Sequence, residues 1–461
     1  MAYPSVVKIY ATTQEPDYDS PWQASSPSRG TGSGVVIASG LILTGAHIVA
    51  NSTFLQVQKV ADPNKAIATI KSICHDCDLA LLSIEDEDFM NGIEPAMLGE
   101  LPDLRDRVSV VGYPVGGEEI SITEGVVSRI EVQRYSHSQR HFLAVTVDAA
   151  INSGNSGGPV FKDGKVVGIA FQKLNNAENI GEMVPVPLVQ HFLDIAKKTF
   201  SVSLPGFGFS TQKLENALLR QYLGMKTSES GVLISNVIYD SSSDNLLFQG
   251  DVLLKINGLS IANNGTISLY DRYRTRYDAI LGECSFGDKV TFDILRKKQY
   301  LTVDIYLNSL KFLIPRSQYD IKPTYLIYGG IVFQTLTRDF LETWKNWWDE
   351  APKEFLHLYF SGIPTKERQE IVIISQILAD EVNVGYEGFF NEFVIAVNDI
   401  KIRNMQHLLE IIRSSQDVVK FETSNKGVII LNKKEMDEAT KRICQRYHIA
   451  KPHSIELAKY Y

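Results

Sequence analysis

From Val6 to Phe200 the apolar residues fall into short β-branched runs separated by Gly, Asn and Asp. Gly34-Val35-Val36-Ile37, Leu41-Ile42-Leu43-Thr44, Asp78-Leu79-Ala80-Leu81-Leu82, Val108-Ser109-Val110-Val111 and Lys165-Val166-Val167-Gly168-Ile169 are such runs. Closely spaced short runs with turn residues between them predict strands of an all-β barrel or sandwich. Helical spacing enters only at the end of the region. Leu188, Val189, Phe192, Leu193 and Ala196 share one face and predict a closing helix over 187–198.

Beyond Leu204 the pattern changes. A glycine-rich apolar loop precedes a helical stretch over 214–223, the strand-like Gly231-Val232-Leu233-Ile234, a turn ending in Asn257-Gly258, and a late strand over 289–295. The same order recurs loosely after Tyr325. Gly329-Gly330-Ile331-Val332-Phe333 stands for the loop, 371–376 for a strand, Val397-Asn398-Asp399 for the turn, and 405–412 for a helix. Two copies of one α+β module of about 100 residues account for this. Phe340, Trp344, Trp347 and Trp348 fall on one helical face, which predicts core packing or a contact between subunits. The tail after Met436 is charged and helix-prone.

A chain of 461 residues is too long for one core and predicts about two to four domains. The boundaries expected are 1–200, 204–312, 320–435 and a tail over 436–461. The net charge of −8, with no Lys/Arg block, excludes a nucleic-acid binder. No apolar run reaches the roughly 20 residues that span a bilayer. The strand-like start of the chain does not read as a signal peptide, so a cytoplasmic location is expected, with an organelle or export as the alternative. Cys74, Cys77, Cys284 and Cys444 are too few for a disulfide scaffold. Cys74-His75-Asp76-Cys77 has no second ligand pair at metal-binding spacing, so neither metal nor cofactor is expected.

The chemistry centres on Gly154-Asn155-Ser156-Gly157-Gly158-Pro159. A serine hydroxyl attacks only if a base takes its proton and backbone N–H groups receive the developing oxyanion. Flanking glycines allow positive φ and leave the serine uncovered. Ser156 is the expected nucleophile, and Gly154-Asn155-Ser156 the oxyanion turn, through the N–H groups of Gly154 and Ser156. A plain Gly-rich hairpin is the other reading of the hexapeptide. The base expected is His47, which follows an apolar strand and the small pair Gly45-Ala46. His75, His137, His141 and His191 lie in polar stretches or in the closing helix. The orienting carboxylate is Asp78, which leads the strand Leu79-Ala80-Leu81-Leu82, or Asp76 two residues earlier. The order His, Asp, Ser is that of chymotrypsin-type proteases and fits two barrels with the site between them.

Thr44-Gly45-Ala46-His47-Ile48-Val49, Asp78-Leu79-Ala80-Leu81-Leu82 and Asp148 through Pro159 resemble the three active-site blocks of the HtrA/Deg family. The likeness continues through Val184-Pro185-Val186-Pro187 and Ser375-Gln376-Ile377-Leu378-Ala379-Asp380, where it is closest to the plant-type Deg branch. It implies a mainly β chain, a chymotrypsin-like double β-barrel protease domain followed by two α+β PDZ domains, and it selects Asp78 over Asp76. Two departures stand out: Gly45 replaces the usual Asn, and Ser153 replaces a common Pro, a change that loosens the oxyanion loop.

The function expected is an ATP-independent serine endopeptidase acting on unfolded or damaged proteins. The floor of the pocket for the residue before the cut is Ala150, with Ile151 and Phe171 as walls. None is acidic, so cleavage after small or medium apolar residues is expected rather than after Lys or Arg. The resemblance places the peptide-carboxylate loops at Phe207, Gly208 and Phe209 in the first module and at Gly330 and Ile331 in the second, with peptide C-termini as partners. It also implies a homo-oligomer, a trimer or a multiple of trimers. The other function class is a chaperone-like PDZ scaffold whose protease is latent. An unrelated esterase is disfavoured because no Gly-x-Ser-x-Gly elbow is present.

Overall fold

The computed structural model of the chain describes residues 3–114, 117, 119–149, 151, 154–173 and 180–461. The chain divides into two compact units, one of residues 1–13 and 27–310 and the other of residues 14–26 and 311–461.

The first unit opens with six antiparallel strands, β1 (Val6–Thr13), β2 (Ser28–Ala38), β3 (Leu41–Thr44), β4 (Ser52–Lys59), β5 (Lys65–Cys74) and β6 (Leu79–Ile84). They close into a barrel in the order β1-β2-β3-β6-β5-β4. Six more follow, β7 (Arg107–Gly112), β8 (Ser121–Arg134), β9 (His141–Val147), β10 (Pro159–Lys162), β11 (Lys165–Lys173) and β12 (Gly181–Pro185). They close a second barrel in the order β10-β11-β12-β9-β8-β7. Closure removes the free edges that short strands would otherwise leave. Val7, Ile9, Val36, Ile42, Val57 and Leu82 fill the first barrel. The expected closing helix is present as Val186–Ala196, with Leu188, Val189, Phe192 and Ala196 buried.

The rest of this unit is the first α+β module. Its main sheet runs Phe209–Lys213, Val232–Val237, Val252–Ile256, Lys289–Arg296, Gln299–Tyr306. The helix predicted over 214–223 is shorter, Ala217–Leu223, because Asn216 caps it through its side chain at 2.9 Å and Gly224 ends it at φ 83°.

The second unit carries a sheet in the order Tyr325–Tyr328, Ile331–Thr335, Val372–Ile377, Glu392–Val397, Val418–Thr423, Val428–Asn432. Three features differ from expectation. The four aromatics at 340–348 do not share one helix. Arg338–Leu341 and Trp347–Glu350 are separate turns, broken where Asn346 adopts φ −115° and ψ 64°. Phe340 is buried there, whereas Trp348 is exposed. The helix Lys433–Arg446 crosses the boundary expected at 436 and buries Met436, Ala439 and Ile443 in the module. Finally, residues 14–26, which join β1 to β2, belong to this unit. Tyr18 is buried among Leu313, Leu336, Phe340 and Phe355, and Trp22 packs against Tyr325. Gln334 Nε2 donates to the Tyr18 carbonyl at 3.0 Å.

Candidate active site

His47 lies in the single turn Ala46–Val49 that follows β3, and Asp78 directly precedes β6, the neighbour of β3 in the barrel. The backbone N–H of His47 donates to Asp78 Oδ1 at 2.8 Å, and His47 Nδ1 stands 2.7 Å from Asp78 Oδ2. Asp78 is 1 % exposed and His47 26 %, so the acid is sealed while the imidazole reaches solvent. Burial works against protonation of His47, but the charge of Asp78 and its hydrogen bond outweigh it and raise the imidazole above its usual pKa. Burial likewise opposes ionisation of Asp78, yet the charges of His47 and His137 and the bonds from His47 hold it below the ordinary carboxylate range. The arrangement favours the tautomer with the proton on Nδ1 and the lone pair on Nε2.

The Ser156 loop is delivered by the second barrel and pinned to the first. Ser33 of β2 donates its hydroxyl to the Gly154 carbonyl at 2.7 Å, and its N–H donates to the Ser156 carbonyl at 3.1 Å. The same hydroxyl accepts the Tyr113 N–H at 2.8 Å. The Gly157 N–H donates to the Ala170 carbonyl at 2.7 Å, tying the loop to β11. Gly154 and Gly157 sit at φ 102° and 78°, backbone that a side chain resists. A Cβ on Gly45 would stand 2.8 Å from His47 Cε1 and 3.5 Å from Gly157 Cα, so the histidine turn and the serine loop meet at this glycine. Both polar atoms of the Asn155 side chain are buried without a hydrogen-bond partner among the described residues.

Asp76 faces elsewhere. Its Oδ2 lies 2.8 Å from Arg140 Nη1 and accepts the Leu204 N–H at 2.7 Å. Cys74 and Cys77 are buried with free thiols, and burial pushes the Cys77 thiol up, away from nucleophilic use. Among the described residues no group of three His, Cys, Asp or Glu is placed to hold a metal. Ala150 and Ser153 lie outside the described residues; Ile151 and Phe171 are buried, and Phe171 packs on Tyr135 with ring centroids 4.4 Å apart.

The two carboxylate-loop stretches differ. In the first module Phe207 stacks on Phe209 at 5.4 Å, and Ser242 and Ser243 donate to the carbonyls of Gly206 and Phe207 at 2.7 and 2.6 Å. In the second, Gly329 and Gly330 form the turn of a tight hairpin, and Ile331 is paired on both sides, to Tyr328 and to Ile377. The Gly329 N–H donates to Thr440 Oγ1 of the last long helix at 2.9 Å.

Sequence reasoning passed over Ser33 and His137. Ser33 sits between Gly32 and Gly34, a hint of close approach, but its partners are 80 and 121 residues away. His137, set aside for its polar neighbourhood, is buried, and its ring centroid lies 6.3 Å from that of His47.

Known proteins match this arrangement. A family model described as a trypsin-like peptidase domain matches residues 32–169, and a PDZ domain model matches residues 314–456. "Protease Do-like 2, chloroplastic" of Arabidopsis thaliana is 38 % identical over 99 % of this chain and 76 % of its own length. "Protease Do-like 4, mitochondrial" of the same plant is 34 % identical over 96 % and 84 %. The solved "HtrA-type protease AlgW with tripeptide" shares the fold at a TM-score of 0.52 and 23 % identity, over 67 % of this chain and 94 % of that one. This chain belongs to the Do-like (Deg/HtrA) family of serine proteases and is a serine endopeptidase.

Proposed function

We propose that Ser156 is the nucleophile, His47 the general base and Asp78 the orienting acid of an ATP-independent endopeptidase acting on unfolded or damaged proteins. The observation that carries this reading is the doubly bonded His47–Asp78 pair facing a serine loop pinned to the same barrel by Ser33. Ser156 Oγ attacks the scissile carbonyl as its proton passes to His47 Nε2. Asp78 stabilises the imidazolium, and the N–H groups of Gly154 and Ser156 receive the oxyanion. The imidazolium then protonates the leaving amine, and water hydrolyses the acyl-enzyme by the same route.

Apolar Ile151 and Phe171 support cleavage after small or medium apolar residues. In the first module Phe207, Gly208 and Phe209 receive peptide C-termini by strand addition. In the second, the paired edges of Ile331 support an internal or assembly role in a trimer or multiple of trimers. The relatives named chloroplastic and mitochondrial support an organelle rather than the cytoplasm.

One observation favours a second reading, a latent protease serving as a peptide-binding scaffold: among the described residues the buried Asn155 amide of this loop has no hydrogen-bond partner. Casein degradation by the wild-type chain but not by Ser156→Ala supports the enzyme reading. Equal suppression of aggregation by both proteins, with no cleavage, supports the scaffold.

A further inference from the structure

The turn that carries Asp78 is held from outside the first barrel. Asp78 sits at φ 56°, left-handed backbone that most L-residues avoid and that Asp tolerates better. Its N–H makes a bond of 3.3 Å to the His75 carbonyl, and β5 and β6 pair across the turn at Cys74 and Leu79. The remaining restraint comes from two distant segments. From the connection between β8 and β9, Ser138 Oγ donates to the Asp76 carbonyl at 2.8 Å, Arg140 pairs with the Asp76 carboxylate, and His137 Nε2 lies 3.0 Å from His75 Nδ1. From the strand-free stretch that leads into the first module, the Leu204 N–H bonds Asp76 Oδ2. Arg140 closes the ring by donating to the carbonyls of Leu204 and Pro205, both at 2.5 Å.

We propose that Asp76 is a positioning residue for proteolysis: bonded at once to Ser138, Arg140 and Leu204, it holds the left-handed turn from which Asp78 reaches His47, and so makes residues 204–205 part of the active-site frame. This rests on the reading of Asp78 as the acid. Arg140 is 10 % exposed and Asp76 23 %, so their pairing is little screened by solvent. A planar guanidinium serves one carboxylate oxygen and two carbonyls together, which an ammonium cannot copy. Asp78 and Asp76 lie two residues apart in the turn but bond different partners, one the imidazole and the other Arg140 and the Leu204 N–H. Movement of residues 204–205 therefore reaches the acid without passing through the serine loop.

The test uses the full chain, labelled casein as substrate, and a fluorophosphonate probe to count reactive serines. Asp76→Asn keeps the shape and an acceptor for Leu204 but loses the charge. It is expected to lower kcat per reactive serine by about tenfold, with KM within about twofold, since misplacement on the order of 1 Å already costs this much or more. The acid limb of its kcat/KM profile should move to lower pH as Asp78 loses its aim at His47. A variant that melts earlier yet keeps wild-type kcat and the wild-type pH profile overturns the proposal. Ser138→Ala removes little bulk and two bonds, the one to the Asp76 carbonyl at 2.8 Å and the one from the Arg140 N–H at 3.2 Å, and it decides the matter if Asp76→Asn does not fold: a fall of about two- to tenfold in kcat at unchanged KM, the scale of losing one or two modest hydrogen bonds, supports the proposal, and an unchanged kcat overturns it. Asp78→Asn separates this from the reading beneath it. Loss of rate in Asp78→Asn but not in Asp76→Asn sinks the positioning role alone, whereas a fully active Asp78→Asn sinks the assignment of the acid.

Discussion

Asp78 grips His47 twice, by Oδ1 on the backbone N–H at 2.8 Å and by Oδ2 on Nδ1 at 2.7 Å. The backbone bond fixes where the residue is, and the ring bond fixes how the imidazole turns. Asp78→Asn keeps the first and offers the wrong partner for the second. We expect a loss of about 10⁴-fold in kcat, with the acid limb of kcat/KM shifted to lower pH because the charge that raises His47 is gone. In the wild type that limb should lie above about pH 6.5, the ordinary imidazole value. A wild-type limb below that value contradicts the raised pKa.

The same pair ties stability to pH. His47 is raised in the fold, so its contribution is complete below its unfolded value and is lost as pH rises through the raised one. Asp78 is lowered, so its contribution is complete above its unfolded value and is lost as pH falls through the depressed one. Both are fully present between roughly pH 4 and 6.5. With Ser156→Ala as background to prevent self-cleavage, the difference in thermal midpoint made by Asp78→Asn should be largest in that window and shrink on either side. A difference independent of pH refutes the linkage.

Gly45→Ala should displace the His47 ring. The added Cβ would stand 2.8 Å from Cε1 and 2.9 Å from Nδ1 of a ring already held by Asp78. Gly45 has φ −77°, so the backbone accepts alanine and the strain falls on the imidazole. A drop in kcat/KM on the order of 10²-fold with little change in thermal midpoint is expected. Unchanged kinetics would mean the ring yields freely.

In the first module, Arg296 meets Asp251 with Nε and Nη2 each at 2.7 Å from a carboxylate oxygen, and Asp251 is 2 % exposed. Arg296→Ala strands a buried charge and should cost about 3–5 kcal/mol. Calorimetry should show a lowered transition, and the double change Arg296→Ala with Asp251→Asn should recover part of it. No recovery would mean that packing, not charge, holds the site.

Strand runs such as Leu79–Leu82 and the Gly154–Pro159 hexapeptide were readable because a short continuous apolar run and a glycine-flanked serine are local signals. The helix Val186–Ala196 followed from such signals, whereas the strand runs alone left barrel and sandwich open, and the two barrels came from the order His, Asp, Ser and the resemblance. The roles of Ser33 and Asp76 were not readable, since each is defined by partners about 60 to 130 residues away that only the closed barrels bring near. Asp76 looked like a rival to Asp78 because sequence gives proximity along the chain and not the direction in which a carboxylate faces. The tryptophan stretch misled for the opposite reason: its spacing is helical, yet Asn346 leaves helical backbone and splits it.

Because residues 14–26 are built into the second unit while 1–13 and 27–310 form the first, the polypeptide passes between the units three times. The C-terminal module is thus not a bead on a single string. A cut after residue 310 would sever one of the three crossings and leave residues 14–26, with Tyr18 and Trp22 packed into the second unit, still joined to the first by chain. Residues 14–26 join β1 to β2, so the chain ties the last module to the strand whose Ser33 bonds the Ser156 loop.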